Sequence, residues 1–96
     1  MAMIEVCRTT GIEKEEAKRK TESLARKMEA KLGIDWRWKG DLLLFDTRRG
    51  AARGMRGSVS VGGSSVRVEV DLPQRIAEHR GSVEDRLVDE LNHLFL

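Results

Sequence analysis

Apolar and polar positions along this chain change period several times, and each change marks an element. In "MIEVCR", Ile4 and Val6 fall on one side and Glu5 and Cys7 on the other, the period of a short strand. Thr10 stands three residues before Glu13, the spacing of a capping box that opens a helix. Ala17, Thr21, Leu24, Ala25, Met28 and Leu32 then recur at intervals of three and four, and Gly33 follows as a natural stop. The opposite face, "EKEEAKRK" and beyond, places Glu15–Arg19, Glu16–Lys20 and Glu22–Arg26 at i, i+4, the pattern of a solvated face.

The densest apolar run is "IDWRWKGDLLLF", which holds both tryptophans. Two aromatics at i, i+2 can present a stacking platform or form half of a core. A turn at Lys39-Gly40 predicts a hairpin in which Trp38 faces Asp41, Trp36 faces Leu43 and Ile34 faces Phe45. Opposed residues share a face, so Ile34, Trp36, Trp38, Leu43 and Phe45 belong to the core side. Asp35, Arg37, Leu42 and Leu44 go to the other side, beside the outward Arg56 and Arg67.

The alternation continues in "MRGSVSV", with Met55, Val59 and Val61 inward, and in "VRVEVDL", with Val66, Val68, Val70 and Leu72 inward; "GGSS" turns the chain between them and Pro73 ends the second run. At the C-terminal end Ile76, Arg80, Val83, Leu87, Leu91 and Leu94 return to helical spacing, and Ser82 with Asp85 predicts a fresh helix start after a short turn. The predicted order is β-α-β-β-β-β-α. It forms one α+β domain over residues 1–96, a two-layer sandwich in which two helices cover the apolar face of an antiparallel sheet and the other face stays wet.

Composition narrows the function classes. With 96 residues, 40% of them hydrophobic and 35% charged, the chain makes one small domain with a thin core. Eighteen basic residues against sixteen acidic ones leave a net charge of +2, a near balance that counts against a dedicated nucleic-acid binder. A lone cysteine, Cys7, excludes an internal disulfide and suits a reducing compartment. No run reaches the roughly 18 apolar residues of a membrane span, nor does the start read as a signal peptide, so the expected location is the cytoplasm.

Taken in order, several short motifs resemble a bacterial family of polyhydroxyalkanoic acid system, or granule-region, proteins. They are the I-x-V of Ile4 and Val6, an E-A-K helix ending in L-G-I, and W-x-G-D-x-L-x-F as Trp38, Gly40, Asp41, Leu43 and Phe45. G-x-V-x-V follows as Gly57, Val59 and Val61, then V-x-V-x-V-x-L-P to Pro73, and a last helix opening G-x-V-E and closing L-x-x-L-F. The chain departs from the pattern at "RRGAARG", which is longer and more basic, and at "QRIAEHR", which is more polar. The resemblance implies association with the polyester storage system and supplies no catalytic residues.

Candidate chemistry is sparse. Leu42 and Leu44 on the wet face are candidates for a partner surface, including a sheet-to-sheet homodimer. Arg48, Arg49, Arg53 and Arg56 gather four guanidinium groups in a glycine-punctuated segment suited to an anionic partner. Asp89 and His93 lie at i, i+4 with no evident third metal ligand, and Cys7 has no positioned base. The expected function is therefore a non-catalytic accessory or binding protein, without cofactor or metal, that meets a partner protein or the granule surface. The alternative is a nucleic-acid module using the wet face and the arginine segment. A ligand-binding enzyme with a cavity between the layers would need convergent polar groups, which the predicted core lacks.

Overall fold

The structure, a computed structural model, describes residues 2–50 and 52–95. Its elements in chain order are β1 (Ala2–Thr9), α1 (Lys14–Leu32), β2 (Ile34–Lys39), β3 (Leu42–Thr47), β4 (Arg56–Val61), β5 (Ser65–Leu72), a 3-10 segment (Gln74–His79) and α2 (Arg80–Phe95). The five strands form one antiparallel sheet in the order β1-β5-β4-β3-β2. The chain crosses the sheet through α1, from one edge to the other, then meanders back until β5 pairs with β1. Both helices lie on the apolar face, α1 against β2 and β4 and α2 against β1. This is the expected α+β sandwich.

The hairpin register differs from the sequence expectation. Trp38 pairs with Leu43 and Trp36 with Phe45, and Ile34 pairs with Thr47. The turn is Gly40-Asp41, not Lys39-Gly40, which moves β3 by two residues. A shift of two preserves every side-chain face, whereas a shift of one would have turned the tryptophans outward. The turn chemistry explains the choice. Gly40 has φ 63° while Asp41 stays at negative φ, the signs of a type II′ hairpin turn. Asp41, released from the ladder, takes ion pairs from Lys14 Nζ and from Lys18 Nζ (3.4 Å), and Lys18 also donates to the Gly40 carbonyl.

Neither expected capping box forms. Helix α1 starts at Lys14 with Glu13 at the cap and no side-chain capping bond. Thr10 instead prolongs the β1 edge of the ladder, its N–H donating to the Ser64 carbonyl (2.8 Å), and its side chain is buried. At the other end the 3-10 segment after Pro73 runs straight into α2 at Arg80. Ser82 therefore sits inside a helix that has already begun, where no free N–H awaits a cap. The Gly33 stop is as expected, with φ 72° and its N–H on the Glu29 carbonyl.

The core is built from Ile4 and Val6 of β1, the inward valines of β4 and β5 with Leu72, Leu43, Ile34 and Met55, roofed by Ala17, Leu24 and Ala25 of α1 and Leu91 of α2. Both tryptophans and Phe45 are half-buried and packed against this cluster. Helix α1 holds the indoles by their polar edges as well. Trp38 Nε1 donates to Glu22 (2.9 Å) and Trp36 Nε1 to Glu29 (2.9 Å), while Lys18 and Arg26 lie over the two rings at 4.9 and 5.6 Å. Of the three i, i+4 pairs read from the sequence, Glu22–Arg26 (3.1 Å) closes as an ion pair. The supposed solvated face of α1 thus includes the groups that seat the helix on the β2–β3 hairpin.

Gly57 shows how tightly the sheet is packed. A Cβ there would lie 2.2 Å from the Glu69 carbonyl oxygen and 2.7 Å from Phe45 Cζ, and the first of these is backbone that cannot step aside. The Phe45 ring occupies the space opposite, its strand partner being Gly57 itself. Gly57→Ala is expected to destabilise the fold by about 2 kcal/mol or more, read as a lower urea midpoint at unchanged m; an unchanged midpoint would show that the strand contact relaxes freely.

Two carboxylates tie pH to the seating of α1. The Trp38 indole N–H, then the Arg26 guanidinium, hold Glu22 below its ordinary value; Lys14, then Lys18, do so for Asp41 against the opposing effect of partial burial. Folded values below unfolded ones mean that this stability is complete above the ordinary carboxylate range and is lost as pH falls through the folded values. Asp41→Asn should therefore lose less stability than the native protein between about pH 5 and pH 3, measured by urea denaturation at each pH. Parallel loss in both would remove Asp41 from the acid response.

Candidate partner-binding face

Strand pairing sorts the outer side chains into three rows across the sheet. One row runs Met3, Asp71, Arg56, Asp46, Asp35; the next Glu5, Glu69, Ser58, Leu44, Arg37; the third Cys7, Arg67, Ser60, Leu42, Lys39. Neither helix lies on this side. The period-2 pattern makes the face, and the antiparallel register decides who sits beside whom.

Leu42 and Leu44 are adjacent outward residues on β3, as expected, but they are half-buried rather than exposed. Their cross-strand neighbours are Lys39 and Ser60 for Leu42, and Arg37 and Ser58 for Leu44. The stems of Arg37 and Lys39 flank the leucines on one side and small serines leave room on the other. Of the two arginines expected beside the leucines, Arg56 opposes Asp46 and Asp71 but lines the same concavity as Leu44, whereas Arg67 opposes Ser60 and Cys7, one strand away from Leu42. An open concavity of about 430 Å³ runs from Leu44 and Arg37 past Ser58 and Glu69 to Met3.

Charge on this face is largely paired within it. Arg67 bridges Glu5 (2.6 Å) and Glu69 (3.2 Å), and its guanidinium is pushed up from its ordinary value by the Glu5 hydrogen bond first and the Glu5 and Glu69 charges after it. Arg56 lies 3.7 Å from Asp71, and Arg48 reaches back to Asp35 (3.6 Å) and Asp46 (3.9 Å). Apart from Asp71, whose side chain is largely buried, these are solvent-accessible groups, and such pairs lend little stability. What they do is neutralise, leaving Arg37 and Lys39 beside the leucines without an ion pair among the described residues.

The arginine segment does not form one cluster. Thr47 N–H donates to the Met55 carbonyl and the Gly54 N–H to the Thr47 carbonyl, both at 2.8 Å, closing the β3–β4 connection with a glycine bulge in which Gly54 has φ 92°. Arg48 turns to the sheet carboxylates and Arg56 belongs to β4. Arg49 and Arg53 are exposed and lack an ion pair among the described residues, and the Arg53 carbonyl accepts from Arg75 Nη2. Ala51 of this segment lies outside the described residues.

The sequence reading missed Met3 and Lys39 as members of the outer face. The parity of Met3 with Glu5 and Cys7 was readable; that β1 joins β5, and so brings Met3 into this face at all, was not. Cys7 is exposed on the same strand. Asp89 and His93 sit in α2, and the described residues hold no group of three or more His, Cys, Asp or Glu side chains placed to share a metal. Among the described residues, no helix is long and apolar enough to cross a membrane.

No curated protein and no solved structure matches the chain. A family model does, and it spans residues 4–95, from Ile4 in β1 to the last residue of α2. The match thus takes in the hairpin turn with its Asp41 ion pairs, the Phe45–Gly57 contact and all five strands, β1 from Ile4 onward. Over nearly its full length, then, the chain belongs to the family described as "putative polyhydroxyalkanoic acid system protein".

Proposed function

We propose that this protein is a non-catalytic accessory component of the polyhydroxyalkanoate storage system, working in the cytoplasm by docking the outer face of its sheet onto a partner protein or the granule surface. Family membership supports the system. The observation that carries the docking mode is the Leu42–Leu44 pair: two adjacent leucines on the uncovered side of a sheet whose apolar side is already roofed, set between basic stems and small hydroxyls. An apolar centre with a polar rim is the make-up of a protein-binding patch.

Docking is favoured over coating of polymer. Coating calls for a long helix with a broad free apolar face, and here α1 and α2 both contribute buried residues to the core. A protein partner is favoured over nucleic acid because Arg48, Arg56 and Arg67 are matched by carboxylates of the same face. Arg37, Lys39, Arg49 and Arg53, which have no ion pair among the described residues, would set orientation and approach rate rather than supply most of the affinity.

Replacing both Leu42 and Leu44 by Asp should remove co-sedimentation with polymer granules from producing cells, or capture of the granule-bound partner, by tenfold or more. The far-UV spectrum should be unchanged. Undiminished co-sedimentation of the folded double variant would overturn this reading. Binding to RNA or DNA that falls steeply with salt would install the nucleic-acid reading instead.

A further inference from the structure

The two edges of the sheet are not alike. At the β2 edge the outward positions are Asp35, Arg37 and Lys39, each carrying a charge, and the inward Trp36 and Trp38 are held by α1. Charges on every outward position are a common way to keep another strand off an edge. At the β1 edge the outward positions are Met3, Glu5, Cys7 and Thr9. Only Glu5 is charged, and Arg67 already pairs with it. Met3 is 54% exposed, the most exposed large hydrophobic side chain described. β1 is eight residues long and pairs with β5 without a bulge or a proline. Its far side carries backbone donors and acceptors with no strand beside them.

The helix above this edge is also incompletely covered. α1 buries four residues; α2 buries Leu91 alone and leaves Val83, Leu87, Val88, Leu94 and Phe95 half-buried. Leu94 does not join the core cluster. α2 packs against β1, the last strand on that side, which puts this partly covered helix beside the open edge.

We propose that the β1 edge is a homodimer interface, in which β1 pairs antiparallel with β1 of a second copy and the two α2 helices meet above the joined sheet. A second copy is the occupant that satisfies both shortages at once. It brings an equally open strand edge and an equally under-covered α2 on the correct side, because a two-fold axis normal to the sheet keeps inner faces with inner faces. Side-chain parity then allows only registers in which a residue faces another of the same face. Pairing centred on Glu5 would set two carboxylates against each other. Centring on Val6 avoids this, with Glu5 facing the partner's Cys7, and it keeps residues 3–9 in the ladder. The Cys7 carbonyl, which accepts from Arg8 Nη1 at 2.7 Å, retains a second lone pair. The result is a ten-stranded sheet with both Leu42–Leu44 patches on one side, a bivalent platform for the docking proposed above.

The register makes the test one of charge sign. The native protein should run at twice the chain mass in light scattering at hundred-micromolar concentration. Cys7→Glu sets like charges across the interface, against Glu5 of the other copy, and should weaken dimerisation at least tenfold. Cys7→Lys sets opposite charges there and should leave the dimer intact. Within one chain the preference is reversed, since residue 7 faces Arg67, so a change in fold stability cannot mimic the result. Leu94→Asp should weaken the dimer as well. A monomeric native protein would overturn the proposal. So would a dimer that survives both Cys7→Glu and Leu94→Asp but is lost in the Leu42/Leu44 double variant, which would place the interface on the outer sheet face. Loss of granule binding with the dimer preserved would bear on the docking face and leave this interface standing.

Discussion

A five-stranded sheet with one apolar face survives in water only if that face is roofed, and among the described residues the two helices do most of that work. Everything else follows from how they share the work. α1 is seated at the β2–β3 end by four buried residues and by the carboxylates that receive both indole N–H groups. α2 is left with the β1 end and buries a single residue. The strong seat and the thin one divide the molecule into a locked edge and an open one.

The locked edge accounts for much of what the family pattern specifies. Trp38 is the donor to Glu22, Gly40 forms the turn, Asp41 receives Lys14 and Lys18, Leu43 is in the core, and Phe45 fills the space that Gly57 leaves. Each residue of the motif therefore has a structural task in fixing α1 to the hairpin and the hairpin to β4. That is a reason to look for function elsewhere, on residues whose arrangement the fold does not need. Leu42 and Leu44 are such residues. Outward positions on a wet sheet are satisfied by serine or charge, as the β2, β4 and β5 positions of this face illustrate, and burial gains little from leucine there.

The electrostatics support the same division. Carboxylates and guanidiniums on the β1, β5 and β4 part of the outer face pair with one another, and Arg48 reaches over to the acids at the far corner. Such pairs are screened and weak singly. Their effect is to leave a nearly neutral surface around an apolar centre, with Arg37 and Lys39 as the local exceptions.

The sequence by itself determined the elements, the layer architecture and the face of nearly every strand residue. The reason is physical: period 2 and period 3.6 are imposed by backbone geometry, so burial shows in the residue pattern whatever the neighbours are. Even the mistaken hairpin turn left the faces of Trp36, Trp38, Leu43 and Phe45 intact, because its error was an even number of residues. Tertiary structure alone decided what is not local. It set β1 beside β5, which brought Met3 and Cys7 to the outer face, and it separated the four arginines of the basic segment, with Arg48 and Arg56 beside carboxylates and Arg49 and Arg53 without an ion pair among the described residues. It drew Thr10 into the sheet in place of a helix cap and carried the chain through Ser82 without a break. Local spacing predicts an interaction only when no distant partner competes for the same group. At Thr10 a distant partner, Ser64, prevailed over the local cap, and Glu22 added Trp38 to its local partner Arg26; no short window of sequence contains both ends of the Thr10 contact.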